Sequence, residues 1–212
     1  MNNNNYSDPR HLFAAAVKVA TPIIDGTKSA DLAKPTPCEG FSVEQLLGHL
    51  VFVVRRVASA GRGENQFEAQ DETIASDNFP ADWRSSVAEM VAVWSDDTTL
   101  TSTVVLPWAT MTGAQTLEMW ASELTTHTWD LATATQQSPQ WDDVVVRQSL
   151  VSLQRDLPLA DRSPIWAAFA EHLPEGTPFD PPYSNATPVP TDAPMIDQLV
   201  AWAGRRPASS LA

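Results

Sequence analysis

The chain has 212 residues, and 13 Lys plus Arg stand against 26 Asp plus Glu, a formal charge of −13. Such a surface repels phosphate backbones and anionic lipid, which argues against nucleic acid and membrane surfaces as partners. A hydrophobic content of 43% belongs to a globular chain long enough to bury a real core, and the lone cysteine, Cys38, leaves no disulfide framework or multi-Cys zinc site and fits a reducing cytoplasm.

The opening "MNNNNYSDPR" has no apolar run, so it does not read as a secretory signal; residues 1–10 read as a frayed, disordered tail. A first helix is expected over 11–25, with Leu12, Phe13, Ala16, Val17, Ala20 and Ile24 on one stripe and Pro22 clouding its far end. "KPTPCEG" (34–40) is a loop that carries Cys38, a free cysteine expected only to pack there. The second helix announces itself: Ser42 is an N-cap, Gln45 completes a capping box, and Phe41 and Leu46 are placed for a hydrophobic staple. Its apolar face runs Leu46, Leu47, Leu50, Val53, Val54, Val57, and Gly61 and Gly63 end it. The apolar run "LVFVV" (50–54) is far too short to span a bilayer.

Residues 62–79 are polar and aperiodic, a loop. A third helix is expected over 80–95, with Trp83, Val87, Met90, Val91 and Trp94 inward. "TLTSTVVLPWATMTG" (99–113) favours extended chain, as a short hairpin or a strand-like crossover. A fourth helix over 114–136 carries Leu117, Trp120, Ala121, Leu124, Thr128 and Leu131, and a fifth covers 142–156. From Pro158 onward the chain is proline-rich. A short helix follows Ser163-Pro164, a crossing spans 174–194, and a last helix is expected from Asp192, as its cap, to Ala203, with Gly204 past its end. The fold class is all-α: an antiparallel four-helix bundle with a short extended segment and a Pro-rich C-terminal wrap ending in a short helix. Residues 11–157 are expected to form the bundle, and 158–212 an extension packed on it.

Four histidines are present. His11 reads as exposed, and His172 as a cation at a helix end. His49 shares the core-facing side of the second helix. Glu123 and His127 stand four apart on the fourth helix, one above the other beside Trp120. Burying Glu123 alone would cost several kcal/mol, roughly, or force it to protonate. Two imidazoles and a carboxylate from two helices answer that cost by holding a divalent ion and leaving a position open, the composition of a catalytic rather than a structural zinc site. Zinc is the first expectation, and nickel or iron accept the same donors. Asp130, one turn beyond His127, either orients its imidazole or faces solvent. Arg56, two turns beyond His49, is either the basic group for an anionic substrate or a solvent-reaching arginine. Trp120 and Trp108 line the pocket or fill the core.

Two segments, "TPCEGFSVEQLLGHL" (36–50) and "ASELTTHTWDLATATQQ" (121–137), resemble the DinB-like bundle proteins of actinobacteria, in particular the mycothiol-dependent maleylpyruvate isomerase group. "PWATMTGA" (107–114) and "VPTDAPMIDQLVAWAGRRP" (189–207) resemble its metal-binding cousins. The resemblance implies a four-helix bundle, a divalent metal on His49, Glu123 and His127, and a low-molecular-weight thiol cofactor, mycothiol. Thr128 stands where the family string commonly has glycine. The isomerase's catalytic arginine, from an added C-terminal α/β domain, maps onto neither Arg205 nor Arg206.

The implied activity is a metal- and thiol-dependent isomerase or transferase acting on a small, anionic molecule. A cation-held thiol loses its proton at neutral pH and becomes a nucleophile, so no protein cysteine is needed. The rival expectation is a metal-binding sensor or interaction module without catalysis. Analogy with other bundles adds a homodimer.

Overall fold

In a computed structural model the structure describes residues 6–64, 73–106, 109–171, 181 and 183–210. Among them are eight α-helices and one two-stranded sheet: α1 (Pro9–Asp25), α2 (Val43–Gly61), α3 (Phe79–Val93), α4 (Thr98–Thr101), β1 (Thr103–Leu106), β2 (Ala109–Thr112), α5 (Gly113–Thr135), α6 (Asp143–Asp156), α7 (Ser163–Ala170) and α8 (Met195–Trp202). The fold is mostly helical. No helix of the described residues is long and apolar enough to cross a membrane.

Local chemistry sets the helix starts. Asp8 caps α1 by accepting from the Arg10 N–H at 2.9 Å, with Pro9 at the first turn, where its missing N–H is not needed. Residues 6–10, expected in a frayed tail, are therefore tied down, and Tyr6 donates its hydroxyl to Asp142 at 2.8 Å. The helix runs through Pro22, whose ring is exposed near the C-terminal end. Ser42 and Gln45 close the reciprocal capping box of α2. An equivalent box, Thr112 with Gln115, starts α5.

The threonine-rich α5 is nonetheless central, packing on α1, α2 and α6. Buried hydroxyls would weaken such a core if unsatisfied. Here Thr125, Thr126 and Thr128 donate to the carbonyls of Ala121, Ser122 and Leu124 at 2.7, 2.9 and 2.7 Å. The principal core joins α1, α2, α3 and α5 through Phe13, Leu46, Leu50, Trp83, Leu117 and Leu124. Each such large side chain contributes roughly 1.5–3 kcal/mol over an exposed one. At Gly48, beside His49, the Ile74 backbone lies so close to α2 that a Cβ would collide with its carbonyl oxygen.

Three further expectations are corrected. Val91 is 54% exposed rather than inward, because the buried stripe of α3 runs through Phe79, Trp83, Ser86 and Met90. The extended segment is shorter than 99–113: Thr98–Thr101 is helical, and β1 pairs antiparallel with β2 from Thr103↔Thr112 to Leu106↔Ala109. The last helix begins at Met195 after Pro194, not at Asp192, since Thr191 and Ala193 give their carbonyls to the Gln198 side chain in a turn.

A second apolar cluster joins Val146, Leu153 and Leu157 of the α6 region to Tyr183, Leu199 and Ala203. Buried Arg162 stitches this wrap together, donating to the carbonyls of Pro158 and Trp202, each at 2.8 Å, and to that of Ser184. Gly204, at φ +86°, reverses the chain after α8 and turns Arg205 back inward.

Candidate metal centre

His49 on α2 and Glu123 and His127 on α5 meet between the two helices. The Nε2 of His49 lies 3.5 Å, and the Nε2 of His127 3.2 Å, from the same Glu123 oxygen, Oε1. One donor atom from each residue fits within 4.8 Å of the others. The two rings stand edge to face, 4.8 Å between centroids. Glu123 keeps 15% of its side chain exposed, against 7% for His49 and 4% for His127, so the cluster opens past the carboxylate.

Behind His127 stands Asp130, with no exposure, its Oδ2 3.0 Å from Nδ1. That contact fixes the ring and leaves Nε2 directed at the cluster. The solvent-facing alternative for Asp130 is thereby overturned: the α5 turn after His127 is covered by the C-terminal wrap, whose Arg205 donates from Nε at 3.2 Å and Nη2 at 3.0 Å. Tyr183 comes from the same wrap and donates its hydroxyl to the other Glu123 oxygen, Oε2. The Arg205 guanidinium lies 5.5 Å from the Tyr183 ring.

These contacts shape the proton affinities. Burial raises the Glu123 carboxyl, but the charge of His127 and hydrogen bonds from both histidines outweigh it and hold the group well below the usual carboxylate range. For His127, burial acts downward and is overcome by Glu123 and Asp130, which lift it well above the ordinary imidazole value. Asp130 is lowered because Arg205 and His127 outweigh its burial. Burial, and then the Glu123 charge, push the Tyr183 phenol up, so it remains a donor.

The donor set fits a divalent transition ion. Two imidazole Nε2 atoms and one carboxylate oxygen converge, and one imidazole is oriented from behind by a carboxylate. An ion there would take over the positive charge that a proton on His127 otherwise brings to Glu123.

Arg56 is 7% exposed and stacks on Phe52 at 4.3 Å and Trp120 at 5.7 Å, so it does not reach solvent. Trp120 is buried one turn before Glu123. Trp108 and His172 lie outside the described residues. Cys38 is buried as a packing residue should be, and it also sits within hydrogen-bonding reach of His127, forming a compact group with Asp130. Sequence reasoning misses Tyr183, which no periodic pattern announces in a proline-rich stretch, and the contact of Arg205 with Asp130. The one local sign for Arg205 is Gly204, which marks a chain reversal.

A family model, the mycothiol maleylpyruvate isomerase N-terminal domain, matches residues 13–132, which span α1 to α5 and include all three converging donors. The chain is also similar to an uncharacterized protein of Mycobacterium tuberculosis, named Rv0738 in strain ATCC 25618 / H37Rv and MT0763 in strain CDC 1551 / Oshkosh. Each is 23% identical over 198 residues, 93% of this chain and 98% of the relative. No solved structure matches. With more than half of its residues matched and the site inside the matched segment, the chain belongs to the mycothiol maleylpyruvate isomerase N-terminal domain family.

Proposed function

We propose that the protein is a cytoplasmic, DinB-like metal protein that uses a low-molecular-weight thiol of the mycothiol kind to isomerise or transfer a group on a small molecule. In this reading α1, α2, α3 and α5 make up an antiparallel four-helix bundle, His49, Glu123 and His127 hold the ion, and zinc is the first choice. The observation that carries the reading is the convergence of both Nε2 atoms on one Glu123 oxygen, with Asp130 and Arg205 stacked behind His127. When bound, the ion supplies Lewis acidity that lowers the pKa of a coordinating thiol and leaves a coordination position open.

The chain's own residues do the rest. Asp130 keeps the His127 ring in one tautomer, and Arg205 keeps Asp130 ionised. Tyr183 holds Glu123 through Oε2, so that Oε1 faces the histidines. The wrap that supplies Arg205 leaves Asp130 with no exposure behind His127.

A second reading, a metal-binding module without catalysis, draws on one observation: Arg205, the C-terminal arginine that reaches the site, is committed to Asp130. Cobalt substitution separates the two. Under the enzyme reading, an added thiol brings up a sulfur-to-cobalt charge-transfer band and changes the visible spectrum. An unchanged spectrum at saturating thiol favours the module.

A further inference from the structure

Residues 137–142, which join α5 to α6, run back along α1 and are pinned to it at both ends. At one end the Gln137 amide donates to the Ile23 carbonyl at 2.9 Å and to the Thr135 hydroxyl at 3.0 Å. Gly26 makes room for that docking, since a Cβ there would collide with Gln137 Oε1. At the other end the Tyr6 hydroxyl holds Asp142 at 2.8 Å. Between the pins the segment stands off the helix and leaves a cavity of about 500 Å³, within the range that small-molecule sites occupy. Ala15, Lys18, Val19, Pro22 and Ile23 of α1 form one wall, and their spacing puts them on a single helix face about 12 Å long.

The opposite wall presents unused donors. Ser138, Gln140 and Trp141 give their backbone N–H groups to no acceptor among the described residues. Trp141 is half-buried, packed against the second apolar cluster and lining the cavity, and its indole N–H has no partner among the described residues. Lys18 is exposed and forms no ion pair among the described residues, whereas Arg10, Arg62, Arg84 and Arg155 of this acidic chain are each paired with carboxylates. Asp142 does not neutralise it. Its Oδ1 accepts from the Val144 and Val145 N–H groups at the start of α6, and its Oδ2 accepts from Tyr6. The cavity therefore combines an aromatic wall, uncommitted N–H donors and one uncommitted positive charge.

We propose that this cavity is a second ligand site, which takes an aromatic monocarboxylate with its ring against Trp141 and its carboxylate at the Lys18 ammonium. A flat ring suits the indole face and the proline rings of Pro22 and Pro139 that border it. A single negative charge suits a wall with one free ammonium in a chain of net charge −13, where a phosphate dianion would be left half-compensated. The site is separate from the metal centre. Thr135, the last residue of α5, is already about 12 Å along the helix from His127, and the cavity lies beyond it. The proposal therefore holds whether or not His49, Glu123 and His127 bind an ion.

The test uses the full-length chain labelled with 15N, titrated with 3-phenylpropionate and, separately, with uncharged 3-phenylpropionamide. The Trp141 indole N–H resonance is assigned by its loss in Trp141→Phe. The acid is expected to move that resonance to saturation, equally in chelator-treated and zinc-supplied samples. The amide is expected to bind roughly fivefold more weakly, the upper end of what one partly exposed ion pair contributes. Lys18→Gln should weaken the acid by the same factor and leave the amide unchanged, while Lys18→Arg keeps the charge and most of the affinity. Ser138→Phe, at an exposed position on the rim, fills the cavity and should abolish the shift. A Trp141 resonance that stays in place at millimolar acid, or an equal response to the amide, overturns the site without reliance on any variant. A zinc-dependent shift at the Trp120 indole instead places the acid at the metal centre and also overturns it. A chelator-treated protein that shows the Trp141 shift upholds the site, whatever the metal measurements say of His49, Glu123 and His127.

Discussion

Asp130→Ala is expected to weaken both the fold and the metal site, through one side chain. Asp130 has no exposed surface, accepts two hydrogen bonds from Arg205 at 3.2 and 3.0 Å, and faces His127 Nδ1 at 3.0 Å. Its removal takes the Asp130 charge away from the buried Arg205 guanidinium, and deleting one partner of a buried pair costs about 3–5 kcal/mol. For a chain of this size that lowers Tm by roughly 6–20 °C, at about 2–4 °C per kcal/mol. The His127 ring also loses the group that orients it, and zinc affinity should fall about 10–100-fold. Urea unfolding of the metal-stripped protein gives the first quantity, and competition against a chromogenic chelator gives the second. The double variant Asp130→Ala/Arg205→Ala should lose less stability than the two single variants added together, because both single variants break the same buried pair. A stability loss under about 1 kcal/mol together with unchanged zinc affinity would refute the claim that Asp130 links the wrap to the metal centre.

His49→Ala, Glu123→Ala and His127→Ala should each abolish stoichiometric zinc, read by elemental analysis after gel filtration; full retention in all three would remove the site assignment. His127 has a raised proton affinity in the metal-free protein, so it carries a proton that zinc must displace. Zinc uptake near neutral pH should therefore release protons into weakly buffered solution, and affinity should fall as pH falls; a pH-independent affinity between about pH 8 and 5 would contradict this. Tyr183→Phe removes the hydroxyl that Glu123 accepts from, and should destabilise the protein by about 1.5–3 kcal/mol, as for a hydrogen bond to a charged group. Unfolding measurements that show no loss would mean the wrap is not held through that contact.

The parts of the molecule legible in the sequence are those written at helical spacing. The start of α2 can be read from Ser42 and Gln45 because a capping box involves only four consecutive residues. Glu123 and His127 are one turn apart on one helix, and His49 lies on the buried face of another, so their meeting follows once α2 and α5 pack together. Asp130 is ambiguous in sequence, since a charge at the edge of a stripe faces solvent unless something covers it. The cover, Tyr183 and Arg205, lies some fifty to eighty residues further along. Its path is set by prolines, by Gly204 and by the carbonyls that Arg162 gathers, and none of these has a period to read. Val91 shows the complementary failure: an apolar residue at an acceptable spacing lies outside the stripe that α3 buries.

The most direct test of the account is the metal content of the full-length protein, purified without chelator and measured by elemental analysis against protein concentration. The account predicts close to one equivalent of a divalent transition metal, zinc first, removed by chelator and restored by added zinc. A protein that contains no such metal and takes up none from a zinc solution at neutral pH would contradict it.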